Sequence, residues 1–387
     1  MSHTPPDMEE ETYTPLSLLE GEDTPHGHKD WHIVLPILLS LFALLLFATF
    51  KAEKKVLLPL IEAPTPPKTY TDDYYNSLSW SEVVSAPRWG KRDSHESYQW
   101  NGKMYLFGGL DGDIATLPDG GPDYEKAKYY NDIWVTDDGE HWSLVTEHAN
   151  LPYLRSMSIV PFKNKLFLIA GWGPQVGLNH NIYTSTDGVT WSVATTTTPY
   201  RGREGQRVLE RNGVLYMFGG VDYYKHETLN DVWKSEDGLT WELLTLKAPW
   251  HSRWDHDVGV INDTFFLVSG MSNGTTGYDD IWKSADGATW TLVATGTPIG
   301  KRQGHVVLNY RNVLWLIGGL DTATNQGKGE AWYSRDGEHW KKVPLDGAWE
   351  GREDHQAVIF NDTLFLFGGM GASWHWKGDI WKAYLTP

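Results

Sequence analysis

Short apolar runs recur along most of the chain, and each run ends in a pair of small residues. They occupy residues 103–109 (KMYLFGG), 165–171, 214–220, 264–270, 313–319 and 363–369. From the second run onward the spacing is 49 or 50 residues, whereas the first interval is 62 because residues 110–130 contain an insertion. A fixed period of this length predicts six structural repeats, numbered here one to six by their apolar runs.

Two further elements follow the apolar runs and predict the strands of each repeat. The first, such as NDIW at 131–134, carries Trp in five copies and Tyr183 in repeat two. The second, Asp-Gly-x-x-Trp, occurs five times, and its sixth counterpart stands at the front of the domain, around Trp80. Asn-Gly, Asn-Asp and Asp-Gly pairs are typical of two-residue hairpin turns. We therefore predict an all-β, six-bladed β-propeller over residues 78–387, in which an N-terminal strand near Ser79 to Val84 completes the last four-stranded sheet.

This pattern resembles the kelch family, whose repeats of about fifty residues carry a Gly-Gly pair after an apolar strand and a downstream Trp or Tyr. The resemblance covers roughly residues 78–387 and is specific for the fold. It implies a propeller that serves as a ligand platform, a partner scaffold or an enzyme, because kelch folds carry all three functions.

The first 77 residues have a different character. Residues 1–30 hold eight acids and one Lys, which predicts a disordered acidic tail. The segment from Trp31 to Phe50 has no formal charge and is long enough for one transmembrane helix, and a Pro-rich linker follows at 51–77. Three lysines follow this segment and one precedes it, which favours a cytoplasmic propeller, whereas the spacer favours the other side. The side of the membrane stays open, with a slight preference for an extracytoplasmic propeller.

Composition narrows the function classes. The chain has 33 Lys and Arg against 50 Asp and Glu, a formal charge of −17, which argues against nucleic-acid binding. It contains no Cys, so disulfides, thiolate metal sites and cysteine nucleophiles are excluded. No zinc signature, phosphate-binding glycine loop or nucleophile elbow is present, and we predict neither a metal nor a cofactor.

Tryptophan supplies the first set of candidate ligand contacts. Eleven of the 21 Trp residues occupy repeat positions and are predicted to pack between sheets. The long connections between the second and third strands, and between successive repeats, emerge on one face. The candidate contacts on this loop-bearing face are Trp172, Trp250, Trp254, Trp349, Trp374 and Trp376. Exposed rings there suit a sugar or a partner protein, although the same rings could simply pack the loops.

An arginine just before the innermost strand of each repeat supplies the second set. These are Arg92, Arg155, Arg203, Arg253, Arg302 and Arg352, and His256, His305 and His355 follow three of them. We expect them to ring the mouth of a central channel, where arginine suits a carboxylate or phosphate ligand. The alternative is that each arginine pairs with a repeat Asp. Carboxylates beside them make this rim chemically uneven: Asp93, Glu204, Asp255, Glu353 and Asp354.

The sequence thus predicts a single-pass membrane protein whose propeller binds a carbohydrate or a protein partner through its loop-bearing face. The alternative is a kelch-type sugar enzyme, similar to a sialic-acid epimerase or mutarotase, using the rim arginines and an adjacent acid or histidine. No spacing singles out a catalytic pair, so enzymatic activity is not favoured and catalytic residues stay unassigned. A galactose-oxidase-like copper enzyme is disfavoured, because in that family the chemistry needs a Cys. A purely structural scaffold is the third class.

Overall fold

The computed structural model describes residues 70–113, 117, 121–274, 276–345 and 347–386. They belong to one of the two compact units of the chain, residues 67–387. The predicted acidic tail, the predicted transmembrane segment and nearly all of the linker lie outside the described residues. Within the described part, no helix has the length and apolar character that a membrane crossing requires.

Strands dominate the described residues. In chain order the first half comprises helix α1 (Asp72–Asn76) and strands β1 (Ser79–Val84), β2 (Glu96–Trp100), β3 (Lys103–Phe107), β4 (Leu110–Asp111), β5 (Lys128–Tyr129), β6 (Ile133–Thr136), β7 (Ser143–Thr146), β8 (Ser158–Phe162), β9 (Lys165–Ile169), β10 (Trp172–Gly173), β11 (Gly177–Leu178), β12 (Ile182–Ser185), β13 (Ser192–Thr195), β14 (Arg207–Arg211), β15 (Val214–Asp222), β16 (Glu227–Ser235) and β17 (Glu242–Thr245). The second half comprises β18 (Asp257–Ile261), β19 (Thr264–Val268), β20 (Met271–Ser272), β21 (Thr276–Gly277), β22 (Ile281–Ser284), β23 (Thr291–Ala294), β24 (Arg302–Gln303), β25 (Val306–Tyr310), β26 (Val313–Ile317), β27 (Leu320–Asp321), β28 (Gln326–Gly327), β29 (Ala331–Ser334), β30 (Lys341–Lys342), β31 (Arg352–Glu353), β32 (Gln356–Phe360), β33 (Thr363–Phe367), β34 (Met370–Gly371), β35 (His375–Trp376) and β36 (Ile380–Tyr384). Single 3₁₀ turns lie at Tyr223–Lys225 and Ala372–Trp374.

The described strands build six four-stranded antiparallel sheets, one for each repeat. Their strand orders are β2-β3-β6-β7, β8-β9-β12-β13, β14-β15-β16-β17, β18-β19-β22-β23, β25-β26-β29-β30 and β32-β33-β36-β1. In the last sheet β1 pairs antiparallel with β36, with Trp80 opposite Ala383, so the beginning of the domain completes its final sheet. This all-β arrangement fits a β-propeller.

Two-residue hairpins fix the register of the first two strands in every sheet. Each turn holds both of its residues at positive φ: Asn101-Gly102, Lys163-Asn164, Asn212-Gly213, Asn262-Asp263, Arg311-Asn312 and Asn361-Asp362. This backbone is the type I′ turn that matches the twist of a hairpin and favours Asn, Asp and Gly.

Asp-Gly turns join the third and fourth strands. In repeat three, Ser235 Oγ accepts a hydrogen bond from the Gly238 N–H at 2.8 Å, and Asp237 Oδ1 accepts one from the Thr240 N–H at 2.6 Å. The turn delivers Trp241 into a core shared by the second and third sheets. The side chains of Asp and Ser therefore set the turn, and the Trp anchors it between sheets.

Backbone hydrogen bonds link consecutive repeats near the ends of the innermost strands. The N–H of the second glycine in each small pair donates to a carbonyl of the following repeat. These bonds run from Gly109 to Leu154, Gly171 to Arg203, Gly220 to Arg253, Gly270 to Arg302, Gly319 to Arg352 and Gly369 to Arg92, at 2.8–3.0 Å. The last of them joins repeat six to repeat one. At Gly109 a Cβ atom would lie 2.4 Å from the carbonyl oxygen of Asp93 in the same repeat, so the close approach of the segments that flank β2 and β3 requires glycine.

Candidate binding cavity

A cavity of about 490 Å³ opens where the six repeats meet on the loop-bearing face. Its wall is formed by one residue from each repeat, which pairs with the residue directly after the small pair of the same repeat. We call these six residues the cavity ring: Asp93, Arg155, Glu204, Trp254, Gln303 and Glu353. No two adjacent members carry the same side chain, so the wall is chemically asymmetric.

The residues that follow the cavity ring form its floor. All six adopt left-handed backbone, with φ between 48° and 63°: Ser94, Ser156, Gly205, Asp255, Gly304 and Asp354. Their peptide groups are linked around the axis, for example from the Asp354 N–H to the Gly304 carbonyl at 2.9 Å and from the Ser94 N–H to the Asp354 carbonyl at 2.9 Å. Left-handed non-glycine residues are strained, and they concentrate at functional sites. Here the turn aims the Asp255 and Asp354 carboxyl groups at the cavity.

Six carboxyl groups line this space; that of Glu125 is exposed, whereas the other five are buried or half-buried. Asp93 is 2 % exposed, Glu204 1 % and Glu353 3 %, whereas Asp255 and Asp354 are half-buried. Asp93 Oδ1 and Glu204 Oε2 have no hydrogen-bond partner among the described residues. Buried oxygens in this state cost free energy until a donor reaches them.

Burial and mutual repulsion shift these carboxyl groups toward their protonated forms. Desolvation, followed by the charge of Asp354, raises the pKa of Asp93, Asp255 and Glu353 well above the usual range. Burial also raises the pKa of Asp354, to about 6, although Arg155 opposes the shift. The pKa of Glu204 rises for the same reason, and its ion pair with Arg155 limits the rise. The cavity therefore contains more carboxyl groups than its single cation can hold in the ionised form.

Arg155 is the single cation among the described residues that line the cavity. Its Nη2 lies 2.8 Å from Glu204 Oε1. Its guanidinium also lies 4.9 Å from the ring centre of Tyr124 and 5.2 Å from that of Trp172. The cavity thus already holds one guanidinium between a carboxylate and aromatic faces.

The other five predicted arginines lie elsewhere, which corrects their assignment to an open rim. Each is 0–1 % exposed and pairs with an acid on the third strand of its own repeat or just before it. The pairs are Arg92–Asp132, Arg203–Asp231, Arg253–Asp280, Arg302–Glu330 and Arg352–Asp379. We call each pair, together with the Trp whose Nε1 donates to the same acid, a brace. Because all their charge is used inside the fold, these arginines do not reach a ligand in the cavity.

Repeat two has no brace. Its arginine lies one position later in the repeat than the arginines of the other five repeats, whereas the sequence pattern predicted that all six were equivalent. The carbonyl that receives the glycine N–H belongs to Leu154, so Leu154 occupies the brace position and Arg155 the cavity-ring position. Asn181 replaces the acid and Tyr183 the Trp, and the two side chains bond to each other at 3.1 Å. Asn179 Nδ2 donates to the Ala170 carbonyl at 3.0 Å, as the arginine Nη1 does to the equivalent carbonyl elsewhere. Because repeat two has no acid at the brace position, Arg155 is not held in a brace and lines the cavity.

The six predicted tryptophans divide into two groups of three. Trp172, Trp254 and Trp374 line the cavity, and Trp374 at its mouth is 38 % exposed. Trp250, Trp349 and Trp376 are buried, which corrects their placement as open ligand contacts. Trp250 and Trp349 each pack edge-to-face on a Trp of the core. These three rings are the loop packing that the sequence left as the alternative.

The predicted histidines lie beneath the cavity. His256, His305 and His355 line a narrow extension of about 110 Å³ along the axis, together with His95. Burial lowers the pKa of His256 and His355 to about 3, and it lowers that of His305 well below the usual range. The rings are therefore neutral near pH 7, and they do not supply positive charge to a ligand.

Sequence reasoning missed Tyr124, Met271, Met370 and Gln303 as lining residues. It also left the five carboxylates out of the candidate ligand contacts. One usable signal was present: in repeats three to six an acid follows the arginine after 27 or 28 residues, as a structural pair would require. Among the described residues, no group of three or more acids or histidines is arranged to hold a metal ion.

Comparison with protein families identifies the repeats. The model of the KLHDC2/KLHL20/DRC7 Kelch-repeats domain matches residues 156–369, more than half of the chain. No curated protein matches the chain.

Proposed function

Because the chain belongs to the kelch-repeat family, we propose that it is an interaction module that receives a polypeptide segment of a partner protein in the cavity of its loop-bearing face. The observation that carries this proposal is the combination, in one open space, of two buried carboxylate oxygens without donors, Asp93 Oδ1 and Glu204 Oε2, and three tryptophan rings. A partner supplies the missing donors and covers the rings, and both effects favour binding.

The mouth of the cavity suits a protein partner. Trp374 and Tyr224 are exposed on the loops of this face, at 38 % and 67 %. Apolar lining comes from Met271, Leu320 and Met370. Aromatic rings around a recessed pocket are typical of sites that anchor one or two side chains of a partner.

A carbohydrate is the second candidate. Trp172, Trp254 and Trp374 offer flat ring faces, and the neighbouring carboxyl groups accept hydrogen bonds from sugar hydroxyls. The sugar-enzyme alternative loses its main support, because five of the six arginines that were to hold a substrate carboxylate are inside braces.

We further propose that the six sheets are the blades of one closed propeller and that residues 31–50 anchor it to a membrane. The glycine hydrogen bonds that run from each repeat to the next, including repeat six to repeat one, support six blades. The uncharged segment from Trp31 to Phe50 supports the anchor. We place the propeller on the extracytoplasmic side, on the strength of its Pro-rich spacer alone.

Saturation-transfer NMR on the full-length chain in detergent micelles tests the proposal. The probes are mixtures of capped tetrapeptides, neutral sugars and acidic sugars. The blocking variant is Gln303→Trp, since the cavity ring already accepts an indole at Trp254. The matched control is Val193→Trp, which adds the same indole at a position 52 % exposed on β13.

We expect saturation transfer to peptides with the wild type and the control variant, and loss of the signal with Gln303→Trp at an unchanged Tm. Transfer to sugars alone would favour the second candidate. An equal peptide signal from all three proteins would place binding outside the cavity and overturn the proposal, as would no transfer to any probe.

A further inference from the structure

We propose that the cavity selects a partner segment by an arginine side chain, whose guanidinium enters the acidic part of the cavity not served by Arg155. This inference rests on the proposed function, because it names the chemistry of the segment that the cavity receives. It reverses the sign of charge that the rim arginines suggested for the ligand.

The first support is that the cavity contains several carboxyl groups but only one cation among the described residues. Arg155 pairs with Glu204, which leaves Asp93, Asp255, Glu353 and Asp354 without a cationic partner in the described residues. Gln303 Nε2 donates to Glu353 Oε2 at 2.7 Å, but this bond brings no charge. A bound cation would supply the compensation that this part of the cavity lacks.

Unpartnered polar atoms are the second and independent support. Asp93 is 2 % exposed and lines the cavity, and its Oδ1 has no hydrogen bond of good geometry in the described structure, although the side chains of Ser94 and Trp376 lie near the carboxyl group. Gln303 Oε1 is likewise buried and unpartnered. Both atoms are acceptors, so the missing group is a donor, and an anionic ligand would leave them unsatisfied.

Arg155 demonstrates the mode of binding inside the same cavity. Its guanidinium is held by one carboxylate and by the ring faces of Tyr124 and Trp172. Trp254 and Trp374 stand beside the unserved carboxylates as the corresponding rings. A planar guanidinium with five donors uses both kinds of surface at once, whereas an ammonium is a compact and strongly hydrated charge.

Cation binding in this cavity must be linked to pH. The pKa of Asp354 is about 6, and Ser94 is a hydrogen-bond donor to it. The titratable groups that face Asp354 are Arg155, Glu204, Glu353, Asp93, Asp255, Tyr124 and Tyr223. The Asp354 carboxyl group is mostly protonated at pH 5 and does not attract a guanidinium, whereas at pH 8 it is ionised and does. Affinity for a guanidinium should therefore rise between pH 5 and pH 8.

The experiment compares three probes on the full-length chain by saturation-transfer titration. They are Nα-acetyl-arginine amide, its uncharged isostere Nα-acetyl-citrulline amide and Nα-acetyl-lysine amide. We expect Kd for the arginine probe at pH 8 to be lower than that for citrulline by about tenfold or more, and lower than that for lysine. The arginine Kd should rise at pH 5, and the citrulline Kd should not change.

Two cavity variants and one surface variant complete the test. Asp93→Asn and Glu353→Gln should each weaken binding of the arginine probe by about tenfold, because each removes a carboxyl group that ionises when the guanidinium binds beside it. The matched control, Asp137→Asn, removes an exposed carboxylate on a distant turn and should leave Kd unchanged. Two cavity variants are used so that a folding defect in one does not decide the result.

The outcomes separate this inference from the proposed function. Equal binding of arginine and citrulline, tighter binding of lysine, or no binding of the arginine probe would overturn the inference. If peptide mixtures still bound the wild type and not Gln303→Trp, the proposed function would stand on its own. Loss of both signals would overturn both.

Discussion

Repeat two and the other five repeats solve the same packing problem in different ways. Five repeats bury an arginine against an acid and a tryptophan, as in the brace of Arg253, Asp280 and Trp282. Repeat two places Leu154 there, 0 % exposed, and replaces acid and indole with an amide and a phenol. The three brace positions have therefore changed together.

This difference shows that a residue that recurs in most repeats is not for that reason accessible to a ligand. The brace arginines of five repeats, such as Arg253, pair with acids inside the fold, whereas Arg155 of repeat two lies in the cavity. A buried ion pair is also replaceable by apolar and neutral groups of suitable shape, because the desolvation of its two charges offsets much of their attraction. The asymmetry of the cavity begins with this replacement, because repeat two alone contributes a cation to the cavity ring.

The largest expected effect comes from breaking one brace on one side only. Arg253→Leu leaves Asp280 buried without its cation and removes the bond from Nη1 to the Ser269 carbonyl. Loss of one partner of a buried pair costs about 3–5 kcal/mol, so the free energy of unfolding should fall by that amount in urea titrations at pH 7.

A double variant tests whether a brace can be replaced by the Leu and Asn side chains that repeat two has at the same positions. Arg253→Leu with Asp280→Asn removes both charges and should recover at least half of the lost stability. The pKa of Asp280 lies below its usual value, since the bonds from Arg253 outweigh its burial. Its contribution is therefore lost as pH falls below about 4, and the difference between wild type and Arg253→Leu should shrink there. Equal stability of the single and double variants would refute the exchange.

The converse change tests repeat two. Leu154→Arg places a guanidinium in a buried site where Asn181 occupies the position of the brace acid, and it should cost about 3 kcal/mol or more. Adding Asn181→Asp should restore a brace and recover much of that loss. Urea titration of the single and double variants measures both steps, and no recovery would mean that repeat two differs in more than these side chains.

The fold was largely readable from the sequence, because its determinants are local. Asn101-Gly102 and Asn361-Asp362 are at the positive φ values that their turn type needs, and β1 lies over residues 79–84. A strand of five apolar residues in an isolated hairpin would leave its apolar side chains exposed to water. Six such strands in one chain therefore predict sheets that pack on each other.

The site was only partly readable, because its determinants are distant in sequence. Trp254 and Trp374 were expected at a ligand and line the cavity, but Trp250 was expected there and is buried in the core. Trp250 and Trp254 are four positions apart in the sequence, and only the tertiary contacts distinguish the two. The sequence analysis matched Arg155 with the brace arginines because all of them precede an innermost strand. The glycine hydrogen bonds show that Leu154 is the equivalent residue, one position earlier.

A smaller and pH-dependent effect is expected inside the cavity. Asp354 has a raised pKa of about 6, so the folded protein retains its proton at pH 5 and the unfolded chain does not. Stability is therefore lost as pH rises from about 4 to 6 and stays reduced above that range.

Asp354→Asn removes this loss, and Asn tolerates the left-handed backbone at this position. We expect the variant to match the wild type near pH 4 and to exceed it at pH 8, by at most about 3 kcal/mol. Thermal unfolding at both pH values measures the difference. A variant equally stable at pH 4 and less stable at pH 8 would contradict the raised pKa.

The smallest effect is expected from an ion pair that lies outside both regions. Lys103 and Asp137 approach to 2.6 Å, but their side chains are 44 % and 76 % exposed. In water, such a pair gains little over its separate hydrated charges, and it loses side-chain entropy. Lys103→Met should leave Tm unchanged within the error of calorimetry, in contrast to Arg253→Leu. A clear drop in Tm would mean that ion pairing itself, and not the burial of charge without its partner, distinguishes the braced repeats from repeat two.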